Sequence, residues 1–150
     1  MNVSEQTPTL DDWRRLCRLL DDDPELVLGV ESADEADRWT AVIDGLDDAG
    51  ALAYLERNDT GVELSDALAG VPRVFRAGAD VDPVGDVEGD LPAAIVRADE
   101  ILAPHALRLV YLEEDSDAFP LVAVTISHVD EIVVISSHLG HVARAFTATV

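Results

Sequence analysis

Leu10, Trp13, Leu16, Cys17 and Leu20 recur at the three- and four-residue spacing of one helical face. The pattern predicts an amphipathic helix over 10–20, with Thr9 as its N-cap and the run Asp21-Asp22-Asp23 as its end. A second stripe, Ala36, Trp39, Val42, Ile43 and Leu46, follows Ser32 with Glu35 three residues on, the spacing of a capping box, and stops at Gly50. Residues 51–55 read as a short strand and 58–60 as a turn. Thr60 with Glu63 then opens a brief helix through Leu64 and Leu68. The segment Val71 to Arg76 is expected as a strand. After a Gly-, Asp- and Pro-rich loop over 78–90, Leu91, Ala94, Ile95, Ala98, Ile101 and Leu102 form a helical stripe ended by Pro104.

The C-terminal third reads as strand (107–112), acidic turn (113–117), strand (119–126), helix (127–139) and strand (142–146). Leu107, Leu109 and Tyr111 point to one face of their strand and Val110 and Leu112 to the other. A strand apolar on both sides suggests a sheet covered on at least part of both sides. Ile132 to Ile135 favour a strand by propensity. The stripe Val129, Ile132, Val133 and Ser136, with Ser127 and Asp130 in front and Gly140 behind, favours a helix. The expected fold is therefore α+β: one domain over 1–150 whose mixed or mainly antiparallel sheet has about four to five strands, packed with four to five helices. Residues 1–8 are expected to be a disordered N-terminus.

Composition supports a packed domain, since 150 residues with 48% hydrophobic side chains can bury roughly 68–70% of the unfolded chain's surface. Charge changes the picture more. The chain has 31 acidic and 10 basic residues, a formal net charge of -21, and all of its basic residues are Arg. The acids are spread over the whole chain, which excludes an acidic tail. Such a charge repels itself at ordinary ionic strength and is screened in concentrated salt, where the Debye length falls to about 3 Å at 1 M. A halophilic protein, working in molar salt, is expected. Arg14, Arg15 and Arg18 are the one close basic group and sit beside dense acid, so no nucleic-acid partner is expected. No apolar run approaches a membrane span and no charged leader precedes an apolar stretch, so no membrane association and a cytoplasmic location are expected. Cys17 lies on the apolar face of its helix and is expected to be a buried structural thiol.

Three constellations could carry chemistry. Asp80, Asp82, Asp86, Glu88 and Asp90 with Gly85 have the flavour of a calcium loop. Leu91 stands where the bidentate Glu belongs and Pro83 interrupts the loop, so a solvated acidic loop is expected. His138 and His141, with His128 and His105, could suggest a zinc site, but Gly140 separates the first pair and no HExxH or Cys pair accompanies them. The turn Glu113, Glu114, Asp115 and Asp117 places four carboxylates in five residues, so Glu113, Asp115 and Asp117 are the candidate ligands of a weakly bound divalent cation. No other cofactor is expected. Nucleophile-elbow, P-loop and dinucleotide signatures are absent.

Ala49-Gly50-Ala51-Leu52 after a helix, the hairpin from Tyr111 to Leu121 with its acidic, Ser-containing turn before Phe119-Pro120-Leu121, and the helix closing at Gly140 resemble a family of small uncharacterised prokaryotic α+β proteins grouped only as a domain of unknown function. The resemblance spans residues 33–146. It implies an α+β domain and carries over no catalytic residues. The function expected is a non-catalytic binding or accessory module that presents a surface to another protein. The alternative is a divalent-metal-assisted hydrolase or transferase using Asp115 and Asp117 of the acidic turn, with His128 or His138. The oligomeric state is left open.

Overall fold

The computed structural model describes residues 10–114 and 117–145. The Thr9 cap, the segment 1–8 expected to be disordered, and Phe146 lie outside them. The first helix, α1 (Leu10–Leu20), forms as its spacing predicts and buries Trp13, Leu16, Cys17, Leu19 and Leu20. The chain then makes a helix that the periodicity did not suggest, α2 (Pro24–Ser32). Asp23 caps it by accepting the Glu25 N–H at 2.9 Å, and Pro24 occupies the first turn, where its missing N–H costs nothing.

The expected capping box at Ser32 does not form. Ser32 ends α2, and its hydroxyl donates back to the Leu28 carbonyl. A short 3₁₀ turn at Glu35–Asp37 leads into α3 (Arg38–Asp48), which buries Trp39, Val42, Ile43 and Leu46. After β1 (Leu52–Leu55) comes α4 (Gly61–Ala69), where the capping pair is real: the Glu63 carboxylate accepts the Thr60 N–H at 2.6 Å. The strand expected over 71–76 is instead a helix, α5 (Pro72–Ala77). Pro72 has no N–H for a sheet ladder but starts a helix well, and Gly78 at φ 73° closes it. A 3₁₀ turn at Asp82–Asp86 precedes α6 (Leu91–Leu102), capped by Asp90. The strands β2 (Leu107–Leu112) and β3 (Phe119–Thr125) follow, then α7 (Val129–His138) and β4 (Ala143–Ala145). The helix α7 begins after a 3₁₀ turn at Ile126–His128, so Ser127 is not its cap.

The four strands form one antiparallel sheet in the order β1-β3-β2-β4. Strand alternation divides its side chains between two cores. Leu52, Val110, Leu112, Val122 and Val124 pack with α1, α2, α3 and α7. Ala53, Leu55, Leu109, Tyr111, Leu121 and Ala123 pack with α4, α5 and α6. The result is a three-layer α+β domain with helices on both faces of an antiparallel sheet, as the doubly apolar strands require. The buried Asp99 carboxylate of α6 accepts the Leu109 N–H of β2 at 2.9 Å, which ties that helix to the sheet.

Candidate functional site

At the end of β2 the backbone of Glu113 is held on two sides. Its N–H donates to the Val142 carbonyl at 2.9 Å, and its carbonyl accepts the Trp39 indole N–H at 2.8 Å. On the other side, Gly140 at φ 88° turns the chain out of α7, and the His141 N–H donates to the Ser136 carbonyl at 2.9 Å. That turn lays the His141 imidazole flat on Trp39, with ring centroids 4.5 Å apart and planes within 3°, while Trp13 tilts against it at 6.0 Å. Both tryptophans are buried and His141 is half-buried. Burial pushes the imidazole below its ordinary pKa, so the neutral ring prevails. No hydrogen bond joins either ring nitrogen of His141 to another described residue.

Between these pieces lies an open cleft of about 440 Å³ lined by Ala36, Trp39, Thr40, Glu113, Glu114, Gly140, His141 and Val142. Its walls come from α3, the end of β2 and the turn from α7 into β4. They combine the Trp39 indole and His141 imidazole with two acidic residues and the exposed side chain of Val142.

The acidic turn enters this site only in part. Glu113 and Glu114 line the cleft, and Glu114 also accepts a hydrogen bond from the Tyr54 hydroxyl. Asp117 is exposed and pairs with Arg57 at 3.8 Å, and Asp115 lies outside the described residues. Residues of β1 and the turn after it thus engage Glu114 and Asp117. Among the described residues, no three His, Cys, Asp or Glu side chains gather closely enough to hold a metal ion. His138 faces Asp12 at 3.6 Å across the α1–α7 seam, and His105 is exposed on the turn before β2. The acids of the 78–90 loop are exposed: Asp80 accepts the Asp82 N–H, and Asp90 caps α6. Arg14 and Arg15, expected on a solvated face, pair with Glu31 and Glu131. Cys17 is buried, and desolvation with the nearby Glu31 charge pushes its thiol up to about 12, so it offers no nucleophile.

Sequence reading missed the junction of Trp39 and His141. Trp39 read as one member of a core stripe and His141 as the residue past a helix end. Their meeting depends on the sheet order, which brings β4 beside β2 and sets its leading turn against α3.

Fold and site together define a three-layer α+β domain with an antiparallel central sheet and an acidic, aromatic-floored cleft at one end of it. The sequence profile of a domain of unknown function (DUF6630) matches residues 7–146, and the chain belongs to that family. The match takes in α1, ahead of the residue at which the hairpin resemblance began. No curated protein and no solved structure matches the chain. No helix among the described residues is long and apolar enough to cross a membrane.

Proposed function

We propose that the chain is a non-catalytic binding module and that another protein docks in the cleft between α3, the end of β2 and the α7–β4 turn. The observation that carries this reading is the stacked Trp39–His141 pair, with the Trp39 indole N–H bound to the Glu113 carbonyl, in an open cleft that both rings line. A tryptophan fixed by a hydrogen bond to backbone, with an imidazole stacked on it, makes a preorganised floor, and such floors hold partners at low entropic cost. Catalysis is less well served. Among the described residues, no carboxylate is hydrogen-bonded to the imidazole to set its tautomer, and Thr40 is the one hydroxyl side chain that lines the cleft. The net charge of -21 without Lys fits a cytoplasm loaded with molar salt, where docking must rest on close contacts rather than on long-range attraction.

A photo-crosslinking residue at Thr40, in the cleft, and another at Asp66, exposed on α4 of the opposite layer, test the reading in cells of the native source. A discrete crosslinked protein from the Thr40 variant alone is expected. No product, or the same product from both positions, would overturn it.

A further inference from the structure

We draw no further inference here: the strongest candidate, the acidic cluster Asp21-Asp22-Asp23 beside the open cavity between the α1–α2 junction and α5, carries nothing because its carboxylates are already engaged by the Asp23 N–H, by Arg73 with Arg76 and by the Glu25 N–H, and none of the residues lining that cavity holds an unpartnered buried side chain.

Discussion

Gly61 opens α4 directly beneath the loop that carries Val84, and a Cβ at this position would lie 2.2 Å from the Val84 carbonyl oxygen. Backbone cannot yield as a side-chain tip can, so Gly61→Ala should lower unfolding free energy by about 1–3 kcal/mol in a denaturant titration. Gly45, inside α3, meets the Cδ1 tip of Leu26 at 2.7 Å, which can rotate away. Alanine also gains roughly 0.5–1 kcal/mol over glycine in a helix interior, so Gly45→Ala should cost less than Gly61→Ala. His141 gives a pH prediction. Its folded pKa lies below the ordinary 6.5 because burial disfavours the imidazolium. The unfolded chain therefore binds a proton that the folded one refuses, and this contribution to stability is complete above about pH 6.5 and lost as pH falls through the folded value. Urea midpoints across that range should decline toward acid, and the decline should be smaller in His141→Phe, which keeps a ring on Trp39. None of these roles was legible in the residue names. Gly61 and His141 owe them to neighbours 23 and 102 positions away in the chain, at Val84 and Trp39.

Among the elements, the clasp made by α5 carries the sharpest prediction. Arg73, its side chain only 12% exposed, donates from its guanidinium to the Leu19 carbonyl at the end of α1 and to the Ala123 carbonyl of β3, where β1 has stopped pairing. It also pairs with Asp22 at 3.1 Å, which Arg76 reaches at 2.8 Å. Arg73→Met keeps much of the bulk and strips two carbonyls of their donor, so a loss of about 1–3 kcal/mol is expected in denaturant unfolding. The Arg73 hydrogen bond, foremost, lowers the Asp22 pKa below its ordinary 3.8. Stability from that pairing is thus full above about pH 4 and lost as pH falls through the lower folded value, and Asp22→Asn should flatten the acid limb of the unfolding curve. Elements with a long apolar stripe, α1 and α6, were legible because burial of a helical face repeats with the helix itself. The helices α2 and α5 were missed although each has a proline at its first turn after an extended residue. In α2 the cap was hidden in an aspartate run that also fits a solvated surface. In α5 a six-residue segment is too short for a period to declare itself. Capping-box spacing misled at Ser32 and succeeded at Thr60 because the motif specifies a local hydrogen bond and not which of two adjacent helices will use it.

For the whole molecule, a net charge of -21 sets the response to salt. Ion pairs such as Arg15–Glu131 and Arg97–Glu100 are surface contacts worth about 0–1 kcal/mol each, too little to offset general repulsion at low ionic strength. At roughly 0.1 M the screening length is about 10 Å, comparable with the protein's own radius, whereas near 3 M only charges in contact still interact. The thermal midpoint should therefore rise steeply between KCl concentrations of roughly 0.1 M and 3 M. Midpoints that agree within error would refute the halophilic reading.

The sequence by itself determined the α+β class, the hairpin of β2 and β3, and the expectation that both faces of the sheet would be covered at least in part. Each follows from alternation or periodicity within a few neighbouring residues, where the apolar surface of one segment dictates what must happen to it. Tertiary structure alone decided the strand order β1-β3-β2-β4, the side of the sheet each helix takes and the meeting of Trp39, His141 and Glu113. Those depend on how two apolar cores fill from opposite faces at once. Many residue pairs satisfy the local rules equally well, and only close packing of the whole chain selects among them.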